Sequence, residues 1–283
     1  MFYKNKVFLI GFIFLILGNK IWTQEKDKEE FIKKGLEYSI SLIQTAECDY
    51  FVERQCGEKY IKRYKVDWKY SKNREVLNAE YLDENEKVYQ KIQFFFDGSK
   101  TIVISYHDSK TNASIHDGLI PNMYLLCPPS TFLFHFYPGV FLKKILSSNN
   151  LKIQKIAEVF KNEECYILIY QGEPPNDLIY KLWLSSNKNF LPTKIEIIVK
   201  EETLVAEIDY EKKNSIWFPA KILGYQQNKR GIGPYTRVIY QNIKINSQID
   251  ENLFIPILKS GISIYDVRLG ISYITSGNNN SKK

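Results

Sequence analysis

Histidine and methionine are scarce in this chain of 283 residues, which has three of the first and two of the second. No histidine stands at metal-ligand spacing to any of the four cysteines (Cys48, Cys56, Cys127 and Cys165), and no two cysteines form a C-x-x-C pair. That pattern argues against a zinc site and against thiol redox catalysis. Two common hydrolase signatures are also missing, since the sequence has no G-x-S-x-G and no H-E-x-x-H. Gly231-Ile232-Gly233-Pro234 is not followed by Lys-Ser/Thr or a helical pattern, so it reads as a hairpin turn and not as a phosphate loop. No enzyme class, cofactor or metal is expected.

Arginine is rare beside lysine, which weakens the reading that a net charge of +7 would otherwise invite. Setting aside Lys4, Lys6 and Lys20 leaves +4, and the remaining lysines are interleaved with acids, as in Glu25-Lys26-Asp27-Lys28-Glu29-Glu30. A solvated lysine surface accounts for that, and no nucleic-acid partner is expected.

Long apolar runs are missing too, apart from Val7–Gly18 (VFLIGFIFLILG). As a helix it would span ~18 Å at ~1.5 Å per residue, short of a ~30 Å hydrocarbon core. A basic start, this run and then polar Asn19-Lys20 describe an export signal. No small-x-small cleavage site follows and no cysteine closes the run, so residues 1–24 are expected to be a signal peptide or a retained N-terminal anchor. In an oxidising compartment four cysteines permit two disulfides in three connectivities, while buried free thiols are the competing reading.

What is plentiful is aromatic: Tyr 20, Phe 17 and Trp 4. The pattern predicts a helix over Phe31–Thr45, with Phe31, Ile32, Leu36, Ile40 and Ile43 on one stripe. From Asp49 to about Tyr106 apolar and polar residues alternate with the period of strands. Ile92, Phe94 and Phe96 share a face, Asp97-Gly98 turns the chain, and Ile102, Ile104 and Tyr106 align on the return. His107 and His116 are placed apart, one pairing near Asn112 and the other near Val103, which argues against a shared site with His135.

Leu119–Leu146 is the most apolar stretch after residue 24. Pro121, Pro128, Pro129 and Pro138 forbid one long helix there. Two short pieces are expected, with Tyr137–Ser147 the better helix. From Leu151 onward short polar turns join alternating strands, among them Lys194–Lys200 (Ile195, Ile197 and Val199 inward) and Thr203–Tyr210. One wet and one dry face per strand with hairpin-length links means an antiparallel sheet. The expectation is a single mainly-β domain over residues 25–276, a strongly curved antiparallel half-barrel covered by helices, with a disordered tail over 277–283.

Under such a roof an oily cavity can form. Full burial of about fifteen methylenes at ~0.8 kcal/mol each gains roughly 12 kcal/mol, so a carrier that hands over its cargo buries it only in part. Phe94, Phe96, Ile102 and Ile104 are the candidate wall, and Leu125, Leu126, Phe132, Phe134 and Phe136 the candidate lid.

The Asp97-Gly98 to Tyr106 run, the Trp183…Leu191-Pro192…Ile195 run and the Trp217-x-Pro219 pair resemble the outer-membrane lipoprotein-sorting (LolA/LolB-like) superfamily over roughly Phe31–Phe254. The resemblance implies a curved, helix-covered half-barrel that holds lipid or lipoprotein acyl chains in the periplasm, without catalysis and with peripheral or transient membrane contact. A second expectation is an envelope protein-interaction or sensor module on the same fold. The family's R-P-x-x-F-x-W strand is absent, the nearest stretch being Lys72-Asn73-Arg74-Glu75, so no latch arginine carries over. Ile255–Thr275 extends past the family's usual end.

Overall fold

The computed structural model describes residues 27–56, 60–107, 110–136, 140–154, 156–172, 178–229 and 231–276. Helix α1 covers 27–41. It ends four residues earlier than the stripe predicts, because Thr45 is already the first residue of a strand. Ile32, Leu36 and Ile43 are buried, whereas Phe31 is 65% exposed and meets the Phe190 ring edge-on. Gly35 lies against that same ring, where an added Cβ would come within 2.2 Å of a ring carbon.

A first meander follows: β1 (Thr45–Cys56), β2 (Tyr60–Ser71), β3 (Arg74–Leu82), β4 (Val88–Phe96), β5 (Lys100–His107) and β6 (Lys110–Asp117). The proline-broken stretch then forms α2 (Pro121–Leu125), α3 (Ser130–Leu133), the two-residue strands β7 (His135–Phe136) and β8 (Val140–Phe141), and α4 (Leu142–Leu146). The helix expected over Tyr137–Ser147 is thus only one turn and a half long. A second meander comprises β9 (Leu151–Ile153), β10 (Glu158–Phe160), β11 (Glu163–Gln171), β12 (Ile179–Ser185), β13 (Leu191–Val199), β14 (Glu202–Lys213), β15 (Ile216–Asn228) and β16 (Gly231–Ile245). The hairpin of β17 (Ser263–Asp266) and β18 (Ile271–Ile274) ends the chain's described part.

All of these strands except β7 and β8 belong to one sheet, open at β10 and β18. The two meanders are joined by β1 against β16, which aligns Tyr50 with Tyr240 and Val52 with Val238. No local signal announces this pairing; it follows from burying two apolar faces of the same parity. The sheet is strongly curved. β2 and β15 are separated by two strands, about 14 Å across a flat sheet, yet the Trp68 and Phe218 rings lie 6.2 Å apart. Bulges supply part of the bend. The β12–β13 register shifts where Leu184 meets Pro192, and the β14–β15 register shifts where Tyr210 meets Pro219. Proline gives up a ladder hydrogen bond and is tolerated in sheets at such irregularities. The Leu191-Pro192 and Trp217-x-Pro219 runs therefore mark bends.

Trp68, Leu77, Phe94, Tyr180 and Phe218 fill the middle of the concave side, under Leu36 of α1 and Met123, Leu126, Leu133 and Ile145 of the lid segment. The convex side has its own cluster, Val76, Phe95, Ile104, Ala113 and Ile115, covered by Ile249, Phe254, Ile262 and Ile264. The β4–β5 register pairs Phe94 with Val103 and Phe96 with Thr101, while Ile102 faces the convex side with Phe95. Ile102 and Ile104 are therefore not part of the concave wall. Paired residues across a hairpin share a face, and here an even number on β4 pairs with an odd number on β5. Likewise His116 pairs with Thr101 and His107 with Lys110, a register two residues from the expected one, at opposite ends of the hairpin.

Candidate ligand-binding site

Two clefts flank the filled centre of the concave side, and the lid segment roofs both. The first, about 390 Å³, lies between the lid and strands β13 to β16. Leu125 and Phe132 line it from above, and Ile195, Ile197, Leu204, Ala206 and Ile222 line it from below. Its polar rim includes Arg54, Gln55, Tyr225, Gln226, Tyr235 and Thr236. Arg54 spans the mouth: its Nε donates to Thr236 Oγ1 at 3.2 Å and its Nη2 to the carbonyl of Leu125 at 3.1 Å. An arginine on β1 therefore ties the lid to the wall, a role the sequence did not reveal because no motif surrounds it.

The second cleft, about 530 Å³, lies between α1, the lid and the β2–β3 and β4–β5 turns. Tyr70, Phe96, Phe134 and Leu146 line it, together with Glu37, Asn73, Glu75, His135 and Lys143. Tyr70 and Phe134 stack with ring centroids 4.4 Å apart. One strip of lid separates the clefts, turning Thr131 and Phe132 to the first and Phe134 and His135 to the second.

Of the nine residues picked from the sequence, Leu125 and Phe132 line the first cleft and Phe96 and Phe134 the second. Phe94 and Leu126 are packed into the core with 1% exposure each, so neither faces free space. Ile102 and Ile104 sit on the convex side, and the Phe136 side chain lies outside the described residues. The β13–β15 wall was missed, although the alternation of Ile195, Ile197, Leu204 and Ala206 marks it as a buried face.

The buried centre of the lid is polar. Glu75 on β3 accepts hydrogen bonds from Trp68 Nε1 (3.0 Å) and Ser130 Oγ (2.6 Å), and His135 Nε2 lies 3.0 Å from its other oxygen. Burial alone would raise its pKa, but the His135, Ser130 and Trp68 contacts outweigh burial and hold the carboxyl below the ordinary glutamate range. Glu75 is thus a carboxylate at neutral pH, and it staples α3 and β7 to the sheet. Serine, acid and histidine meet here in the wrong order for a nucleophile. The acid stands between the other two, so the imidazole does not face the Ser130 hydroxyl.

Elsewhere Ser185-Ser186-Asn187-Lys188 spells S-x-x-K, yet both Ser185 Oγ and Lys188 Nζ engage Glu163. Cys48, Cys127 and Cys165 are free thiols, and the Cys56 side chain lies outside the described residues. Burial pushes the Cys127 thiol up despite nearby Arg54, which leaves it protonated. Among the described residues no cluster of His, Cys, Asp and Glu is placed to hold a metal. No helix among them is long and apolar enough to cross a membrane; Val7–Gly18 and residues 277–283 lie outside them.

No protein-family model matches the sequence, and no curated protein does. Solved structures do resemble the fold. A LolA-superfamily protein from Nitrosomonas europaea superimposes with a TM-score of 0.51 at 13% identity, covering 79% of this chain and 97% of its own. An outer-membrane lipoprotein-sorting protein domain from Vibrio parahaemolyticus gives a TM-score of 0.50 at 11% identity, with the same coverages. The chain has the LolA-like fold.

Proposed function

We propose that this protein is an exported, non-catalytic carrier that holds a lipid or lipoprotein acyl chain in the cleft between the lid and strands β13–β16. The observation that carries this reading is the cleft itself, about 390 Å³ of free space with aliphatic and aromatic walls. Ligand sites for small molecules fall in the range of ~300–1,000 Å³ and are mostly apolar with a few polar groups. The core-packed Met123, Leu126, Leu133 and Ile145 and the Glu75 cluster hold the lid down, so a chain enters beside it, at the Arg54 rim. A chain is then buried only in part, in keeping with hand-over. The Vibrio domain's own name, lipoprotein sorting, supports the choice of cargo. Export to the periplasm is inferred from the Val7–Gly18 run and its basic flank.

The test is to purify the protein, extract it and examine the extract by mass spectrometry, then titrate a fluorescent fatty acid. Stoichiometric lipid or saturable probe binding supports the carrier. An empty extract combined with no probe binding removes it.

A second reading, a protein-interaction module, is favoured by the C-terminal segment over 253–274, which ends in the β17–β18 hairpin. Nine of the twenty exposed large hydrophobic residues among those described fall within 253–274, including Ile255, Ile257, Leu269 and Ile274. Edge strand β18, Ile-Ser-Tyr-Ile, carries no charge or proline to discourage strand pairing. Recovery of one stoichiometric protein partner that is lost with the Ile271→Lys variant would favour this module over the carrier.

A further inference from the structure

Among the described residues the first cleft has a single charged lining residue, and it is a cation. The described part of its walls contains no Asp, Glu, Lys or His, only the guanidinium of Arg54. No carboxylate among the described residues pairs with that guanidinium; its partners are the Thr236 hydroxyl, the Leu125 carbonyl and the Cys127 thiol, none of them charged. A guanidinium has five donors in a planar fork, and three such contacts still leave two for an incoming acceptor. The lid side of the same cleft supplies a second unspent group. Thr131 is 7% exposed, and its hydroxyl is buried with no hydrogen-bond partner among the described residues. A buried polar group without a partner costs about 1–3 kcal/mol, a cost that a ligand atom reaching this side of the cleft would remove.

We propose that this cleft takes a single-tailed amphiphile with an anionic head, a carboxylate or a phosphate monoester. Arg54 grips the head, Thr131 adds a hydrogen bond, and the tail lies along Ile195, Ile197 and Ile222. This rests on the carrier reading and narrows it. A cleft that merely stored hydrocarbon would have no use for an uncompensated charge at its rim. An amine-headed or zwitterionic cargo would need an acid, and the described walls offer none.

The experiment uses the full chain at pH 8 and three matched probes: dodecanoate, dodecyl phosphate and dodecanol, each displacing a fluorescent fatty acid. Both anions are expected to bind about ten- to a hundredfold more tightly than the alcohol, the range set by a charge-assisted hydrogen bond. In Arg54→Met the anion-to-alcohol ratio is expected to fall towards one, and Arg54→Lys to restore part of it. A purely structural role for Arg54 would change all three affinities together and leave the ratio alone. Equal binding of alcohol and anions by the unmodified protein, or a preference that survives in Arg54→Met, overturns the head-group assignment while leaving the carrier intact. No binding by any probe removes the carrier and this inference together. Whichever anion binds more tightly identifies the head.

Discussion

His135 on the lid and Glu75 on strand β3 meet at 3.0 Å with side chains 3% and 2% exposed. Their contact, with the Ser130 and Trp68 bonds to the same carboxylate, is the only buried charged cluster at the lid centre that the described residues show. Truncating one partner of such a cluster strands the others without an acceptor. Glu75→Ala is expected to cost about 3–5 kcal/mol, a range typical of breaking a buried pair. Urea unfolding of the two proteins measures this directly, and a loss below about 1 kcal/mol would mean that water or backbone takes over the acceptor role.

Because the folded-state pKa of Glu75 is depressed, the cluster's stabilisation carries a definite pH sign. The contribution is fully present above the unfolded carboxyl's value of 4.5 and is lost as pH falls through the lower folded value. The stability gap between the unmodified protein and Glu75→Gln is therefore expected to be constant from pH 7 to 5 and to shrink in more acid solution. Unfolding midpoints at pH 7, 5 and 4 are the measurement. A gap that widens with acid contradicts an ionised Glu75.

Helix α1 is seated through Gly35, whose missing side chain leaves room for the Phe190 ring. Phe190 cannot retreat easily. It is 8% exposed, and it and Asn189 both hold left-handed backbone, with Asn189 also accepting the Ser39 hydroxyl at 2.7 Å. Gly35→Ala gains helix propensity but overpacks this contact, and is expected to destabilise by about 1–3 kcal/mol. Pairing it with Phe190→Leu should recover part of the loss in the same melting experiment. An additive double variant would show that the two sites do not touch.

How much of this was legible in the sequence depends on the range of the interaction. Strand alternation, the apolar stripe of α1 and the proline-broken lid are local patterns, and the structure has all three. The likeness carried by Trp183…Leu191-Pro192 and Trp217-x-Pro219 is also local, since those prolines stand at the bulges that bend the sheet. The Ile102 and Ile104 assignment went astray one step further out, because faces were compared along each strand and not across the β4–β5 register. The Glu75 cluster could not be read at all. Ser130 and His135 lie 55 and 60 positions from Glu75, and only the folded lid brings them together. The first cleft is of the same kind, built from β1, the lid and four strands of the second meander.

Filling the cleft separates ligand binding from folding. Ala206 lines it from β14 and is only partly buried, with free space rather than packed core in front of it. Ala206→Trp places an indole into that space, whereas deletion of Phe132 or Ile195 would remove buried core atoms and lower stability on its own account. The tryptophan variant is therefore expected to keep its melting temperature within a few degrees while fatty-acid probe affinity drops by tenfold or more. The same substitution at Val103, on the concave face of β5 away from this cleft, controls for bulk added elsewhere. Unchanged probe affinity in Ala206→Trp would place the ligand outside the β13–β16 wall and direct attention to the 530 Å³ cleft beneath Phe134.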